Sequence, residues 1–229
     1  LYCWGRNNYG QLGLGFTSNQ ELIPQFVDVG AGKTIAMMES SGSGNQASGI
    51  LTQTCAVLND GQLLCWGNNN DGQLGIGNTS SGGVWVPTAV DLGSGRKAIS
   101  IALSNGASCA LLDDQSVKCW GKNNKGQLGL GNSSSNDVLT PHLVTFTGSS
   151  KPVKLFGALT AFCALMDNGS VACWGGNDEG QLGLGDLIDR NTPTYLTLPA
   201  DRQVTTIDIG KNFMCMSFDD GTVGCSGDN

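Results

Sequence analysis

Basic and imidazole side chains are scarce in this chain: 229 residues hold 12 Lys and Arg against 19 Asp and Glu, and a single histidine, His142. A nucleic-acid surface needs clustered cations to displace counterions from phosphates, so nucleic acid is not expected as a partner. One histidine removes the commonest metal ligand and proton shuttle, and no metal site, cofactor or catalytic residue is expected. No apolar run approaches the ~18 residues of a membrane-crossing helix. Apolar residues nowhere recur at helical spacing, and α-helix is not expected either.

Glycine and cysteine are abundant, with 35 and nine copies. The cysteines occupy two slots of a recurring hairpin: CAVLNDGQLLC, CALLDDQSVKC, CALMDNGSVAC and CMSFDDGTVGC. Apolar arms around a polar, mostly Asp/Asn-Gly centre read as antiparallel strands joined by three-residue loops, Asn59 to Gly61, Asp113 to Gln115, Asp167 to Gly169 and Asp219 to Gly221. Folding about those loops sets the cysteines opposite each other at a non-hydrogen-bonded rung, where Cα atoms approach to about 4.5 Å, the short end of the disulfide range. The expected bonds are Cys55 to Cys65, Cys109 to Cys119, Cys163 to Cys173 and Cys215 to Cys225, with Cys3 alone in the second slot. Oxidised pairs imply an extracellular, cell-surface or lumenal setting. In the cytosol the same residues would remain thiols, as small apolar side chains.

Aligned on Cys-Trp-Gly, repeats start at Cys3, Cys65, Cys119 and Cys173, with a partial one, CSG, at Cys225. Four continue almost identically: CWGRNNYGQLGLG, CWGNNNDGQLGIG, CWGKNNKGQLGLG and CWGGNDEGQLGLG. The third unit shows about four short strands, in KAISIALS, SCALLD, SVKCWG and LTPHLVTF. A strand-rich period of ~50 residues means small sheets stacked radially or linearly, so the expected fold is all-β, with blades of four antiparallel strands.

The motif Cys-Trp-Gly-x-Asn-x-x-Gly-Gln-Leu-Gly-Leu-Gly resembles that of the regulator of chromosome condensation repeat family, over the whole chain. The resemblance implies a β-propeller, usually of seven blades, acting as a rigid binding scaffold. About four blades are expected here, with residues 1–229 forming part of one propeller domain; the chain opens inside a hairpin and stops inside a Gly-rich turn, as an internal window of a longer protein would. The implied function is a non-enzymatic protein-binding or structural scaffold of a secreted, cell-surface or lumenal protein, with protein partners and glycans as contacts. The alternative is an intracellular guanine-nucleotide exchange factor or other GTPase regulator. Family members that sense ultraviolet light carry a Gly-Trp-Arg-His-Thr signature, which is absent here.

Several motifs dissolve into the repeat. Gly30-Ala31-Gly32-Lys33-Thr34 looks like the end of a phosphate-binding loop, but Val27 stands where that loop needs glycine, and VDVGAGKT aligns with VDLGSGRK at Val90 to Lys97. Zinc would need cysteine pairs from different repeats, unlike compact structural sites. Trp4, Trp66, Trp120 and Trp174 point to the sheet face opposite the cysteines and are expected in the core. Asn7, Asn69, Asn123 and Asn177 are expected to bond the backbone of the Gly-rich turn. Asn78, Asn132 and Asn168 begin Asn-x-Ser/Thr glycosylation sequons. Two departures from the repeat are candidate contact sites: the insertion Ser40 to Gly49, and Trp85, which is expected outside the repeat slots and in a loop.

Overall fold

Each cysteine-to-cysteine segment closes as a tight hairpin. The Leu58 N–H donates to Gln62 O and the Gly61 N–H to Leu58 O, each at 2.9 Å, and the same closure recurs at Leu112, Met166 and Phe218. The third loop residue must be left-handed, and Gly61, Gly169 and Gly221 take φ of 85°, 77° and 81°. Gln115 fills that position in the remaining hairpin at φ 66°. An Asp or Asn in the middle of the loop caps each one: Asp60 accepts the amide of Gln62, and Asp114, Asn168 and Asp220 accept from both the amide and the hydroxyl of Ser116, Ser170 and Thr222. The Ser116 hydrogen bonds hold the Asp114 carboxyl down to about 2, with Arg96 adding to the effect.

The structure is a computed structural model describing residues 1–41, 52–199, 202–210 and 212–228. Among the described residues every regular element is a strand. The first sheet pairs β1 (Tyr2–Asn7) with β2 (Ser18–Phe26). Three four-stranded sheets follow. They consist of β3 (Ile35–Ser40), β4 (Gln53–Leu58), β5 (Leu63–Asn69) and β6 (Ser80–Ala89); of β7 (Ala98–Leu103), β8 (Ala107–Leu112), β9 (Val117–Asn123) and β10 (Ser134–Val144); and of β11 (Pro152–Gly157), β12 (Ala161–Met166), β13 (Val171–Gly175) and β14 (Arg190–Tyr195). The last sheet holds β15 (Val204–Ile209), β16 (Phe213–Phe218) and β17 (Val223–Gly227). Within each sheet, neighbours in sequence are antiparallel neighbours in space. Blades of four antiparallel strands are thus present as expected, three of them complete among the described residues, with partial sheets before and after them. Cys-Trp-Gly lies in the third strand of a sheet, so a sequence repeat counted from it spans parts of two sheets. The sheets form an open succession of blades, not a closed ring.

The register puts Cys55, Cys109, Cys163 and Cys215 opposite Cys65, Cys119, Cys173 and Cys225. All four pairs are disulfide-bonded, with Cα atoms 4.1 Å apart, and Cys3 is free. Alternation along the central strands sends the cysteines toward the following sheet and the tryptophans toward the preceding one. Thus Cys55 and Cys65 pack with Ile101, Leu103 and Ala110 of the next sheet. On the other face Trp66 packs with Leu1, Val29 and Ile35. Because both faces are covered, β4, β8 and β12 are buried at every residue. Trp66, Trp120 and Trp174 have no exposed surface, and truncating such a side chain to alanine typically costs about 3–5 kcal/mol.

Each disulfide closes a short ring between residues 10 apart, so its stabilisation is bounded at about 3 kcal/mol by loop entropy, and a local hairpin gains less. Replacing Cys109 and Cys119 together by serine is expected to cost about 1–3 kcal/mol in chemical denaturation while leaving the far-ultraviolet spectrum unchanged. A loss of all β signal would show that the bond is needed to form the blade.

Candidate functional site

The Gly-rich turn after each Cys-Trp-Gly is built from two side chains. Asn7, Asn69, Asn123 and Asn177 accept the amide of Leu12, Leu74, Leu128 and Leu182 at their Oδ1, at 2.9–3.2 Å. Their Nδ2 donates to the carbonyl of Phe16, Asn78, Asn132 and Asp186, spanning the turn. The glutamine of each Gly-Gln-Leu-Gly accepts the amide two residues before it: Gln11 from Tyr9, Gln73 from Asp71, Gln127 from Lys125 and Gln181 from Glu179. The turn is thus rigid before any neighbour reaches it.

The next unit then clasps it. The indole Nε1 of Trp66, Trp120 and Trp174 donates to the backbone carbonyl of Gln11, Gln73 and Gln127 in the preceding unit, at 3.0, 2.9 and 3.0 Å. The outermost strand of the same unit accepts at its backbone: Gly15, Gly77 and Gly131 donate to the carbonyls of Trp85, Leu139 and Asn191. The fit is close enough to require glycine. A Cβ on Gly126, at φ +72°, would lie 2.7 Å from the Asn191 Cα.

Trp85 is therefore placed differently from the expectation. It lies within β6, not in a loop, and in a repeat slot that Leu139 and Asn191 fill at the next two junctions. Its Nε1 donates to Gly82 O at 2.8 Å, so its polar group is satisfied while the side chain remains 43% exposed. Phe16 and Val86 at the same junction are 47% and 50% exposed. The corresponding residues at the second junction are Asn78 and Thr140, and at the third Asn132 and Thr192. The two flanking positions are thus apolar at the first junction and polar at the other two, while the slot between them holds Trp85, Leu139 and Asn191 in turn. The insertion Ser40 to Gly49, apart from Ser40 at the end of β3 and Ser41, lies outside the described residues.

Asn78, Asn132 and Asn168 are exposed. The Oδ1 atoms of Asn78 and Asn132 accept from Asn69 and Asn123, which leaves their amide nitrogens without a protein partner among the described residues. The acidic residues near the third and fourth turns are ion-paired. Lys125 reaches Asp178 and Asp189, its ammonium held above the usual range first by Asp178, and Arg190 lowers the Asp186 carboxyl. Burial raises the Asp137 carboxyl, helped by Asp71 and opposed by Lys122.

On the opposite face an open cavity of about 380 Å³ is lined by Lys33, Asp60, Asp91, Arg96 and Lys97. Lys33 is paired with Asp60, and Arg96 with Asp113 and Asp114. The segment that resembles a phosphate loop and its repeat counterpart at Val90 to Lys97 form turns of one kind, with Gly30 and Gly93 each donating to the Asp two residues earlier.

Comparison with known proteins places these features. The family described as regulator of chromosome condensation (RCC1) repeat matches residues 1–47, 60–111, 116–158 and 168–216. The chain is 30% identical over 210 residues to the ultraviolet-B receptor UVR8 of Arabidopsis thaliana, covering 92% of this chain and 44% of the receptor. It is 33% identical over 146 residues to the X-linked retinitis pigmentosa GTPase regulator of Canis lupus familiaris, covering 63% of this chain and 14% of that protein. The crystal structure of human WBSCR16 superposes with a TM-score of 0.81 at 25% identity, covering 95% of this chain and 53% of that one. The chain spans about half or less of the length of these proteins.

The clasp makes glycine tolerance position-dependent. Gly95 has φ +73° and open space around it, so Gly95→Ala is expected to cost only the left-handed strain, about 1 kcal/mol. Gly126→Ala adds collision with Asn191 backbone and is expected to cost at least ~2 kcal/mol more, measured by urea denaturation. Equal costs would show that the junction yields without loss.

Proposed function

The chain belongs to the regulator of chromosome condensation (RCC1) repeat family, and from that premise we propose that this segment is a non-enzymatic binding scaffold whose contact surface is the rim formed by Phe16, Trp85 and Val86. The observation that carries this is the departure from the repeat at one junction. A repeat slot consumed by packing is the same at every junction; these three are not, and they leave aromatic and aliphatic surface in solvent. Apolar anchors of this kind, centred on tryptophan, dominate the energy of protein interfaces. The partner is accordingly a protein presenting a complementary apolar pocket, either as a separate chain or as another domain.

We further propose that the protein matures in an oxidising, extracellular or lumenal compartment. Four cross-strand pairs set for bonding support this, as do exposed sequons whose amide nitrogens at Asn78 and Asn132 are unengaged. A second reading, an intracellular GTPase regulator, draws support from the similarity to the retinitis pigmentosa GTPase regulator. Titrating thiols of the protein isolated from its source and denatured under alkylation separates the two: about one free thiol per chain supports the first, about nine the second.

Trp85→Leu tests the rim. Leucine fills the same slot at Leu139, so the blade junction is retained while the aromatic surface is lost. The variant is expected to keep the wild-type melting behaviour and to weaken partner binding by more than ~1 kcal/mol. Undiminished affinity for a partner isolated with the wild-type protein would remove Trp85 from the interface.

A further inference from the structure

At three of the four hairpin tips the middle loop residue is an aspartate whose two oxygens do different things. Oδ1 of Asp60, Asp114 and Asp220 caps the loop, accepting the amide of Gln62, Ser116 and Thr222. Oδ2 meets a cation from the segment leading into the first strand of the blade: Lys33 at Asp60, Arg96 at Asp114 at 2.8 Å, and Arg202 at Asp220 at 3.0 Å. At the third tip both charges are replaced together. Ser150 stands in the slot of Lys33, Arg96 and Arg202, one residue before Lys151, whose amide bonds Asp167 as the Lys97 amide bonds Asp113. Asn168 stands in the slot of the aspartates and keeps the cap, its Oδ1 accepting the Ser170 amide at 3.1 Å and the Ser170 hydroxyl at 2.7 Å. Its Nδ2 therefore takes the place of the oxygen that is ion-paired at the other tips, and it has no protein partner among the described residues. Asn168 is exposed, and the segment beside it, Thr147 to Ser150, is small and uncharged.

We propose that Asn168 carries an N-linked glycan, and that the loss of the ion pair at this tip makes room for it. Asn168-Gly169-Ser170 is a sequon, and the cap holds the serine hydroxyl against the asparagine amide within three consecutive residues, a geometry available before the blade closes. Asn78 and Asn132 also begin sequons, but their slot serves the Gly-rich turn. Asp186 fills it in the fourth turn and accepts the same bond from Asn177. The cap at Asn168 needs only an oxygen, so it explains neither the amide nor the missing cation. A glycan here stands at the hairpin-tip end of the blades, away from the Gly-rich turns, and leaves the rim of Phe16, Trp85 and Val86 uncovered. The inference rests on maturation in the lumenal or extracellular compartment proposed above. The donor is an oligosaccharide carried on a lipid diphosphate. A bond forms between Asn168 Nδ2 and the anomeric carbon, the anomeric bond to the diphosphate breaks, and the lipid diphosphate leaves with the electron pair. A base of the transferase takes the proton lost by Nδ2.

The test uses the protein isolated from its source and denatured. One portion is treated in heavy-oxygen water with an amidase that removes N-glycans, then digested and mapped by mass spectrometry; free thiols are titrated in another. Asn168 is expected to be converted to aspartate carrying the heavy oxygen, and to lack that label when the amidase is omitted. A variant combining Ser150→Arg with Asn168→Asp rebuilds the ion pair and cap of the second hairpin. Produced in the same source, it is expected to fold with the melting behaviour of the deglycosylated wild type and to lose the glycan completely at this position. An unmodified Asn168 in a chain whose cysteines are oxidised would overturn the proposal and leave the compartment standing. An unmodified Asn168 beside free thiols would overturn both. Glycan confined to Asn78 or Asn132 would also overturn it, because the tip freed of its ion pair would then not be the acceptor.

Discussion

The hydrogen bond from a tryptophan indole to the glutamine carbonyl of the preceding unit is the contact on which this architecture depends. It recurs at each of the three junctions, from Trp66, Trp120 and Trp174 to Gln11, Gln73 and Gln127, and each time both partners are buried. A buried indole N–H without an acceptor would cost about 1–3 kcal/mol, so the ring can be accommodated only if the preceding turn presents its carbonyl at the right place. That requirement explains the rest of the motif. Asparagine and glutamine hold the turn rigid, glycine lets the outer strand cross it at contact distance, and the disulfide holds the hairpin that carries the tryptophan.

Little of the repeat is then free to vary for function. The asparagine, glutamine and tryptophan side chains and the glycines of the Gly-rich turn are consumed by the junctions, and the cysteines by the hairpins. What differs between units lies on the rim and in the loops, and there Phe16 and Val86 replace the polar residues of the other junctions while Trp85 stands where they carry Leu139 and Asn191. On the proposed reading the scaffold acts by contact, with rigidity from the shared slots and specificity from the residues that leave them.

Hairpin geometry was legible in the sequence because it is local. The three-residue loops, the opposed cysteines and the left-handed position of Gln115 follow from residues within one segment. The roles of Asn69 and Trp66 were legible in outline, since recurrence at one slot with a fixed facing implies packing. The slot of Trp85 was not. It stands beyond a variable loop and is defined by the carbonyl it offers to Gly15 in another unit, a contact between residues far apart in sequence. Recurrence at the same distance from Cys65 and Cys119 as Trp85 and Leu139 was the available signal, hidden because the two residues share no chemistry. The strand order within a blade was legible as well, since KAISIALS, SCALLD, SVKCWG and LTPHLVTF fall in β7, β8, β9 and β10, with Cys-Trp-Gly in the third strand.

The dependence of each unit on its neighbour is tested most directly by hydrogen exchange at the five indole N–H groups, followed by nuclear magnetic resonance in native conditions. If the junctions open only with the blades, Trp66, Trp120 and Trp174 exchange slowly and with a common free energy close to that of global unfolding, while Trp4 exchanges at once. Indoles of Trp66, Trp120 and Trp174 exchanging as fast as that of Trp4 would contradict the account, because the junctions would then be surface contacts and not the bonds that define the fold.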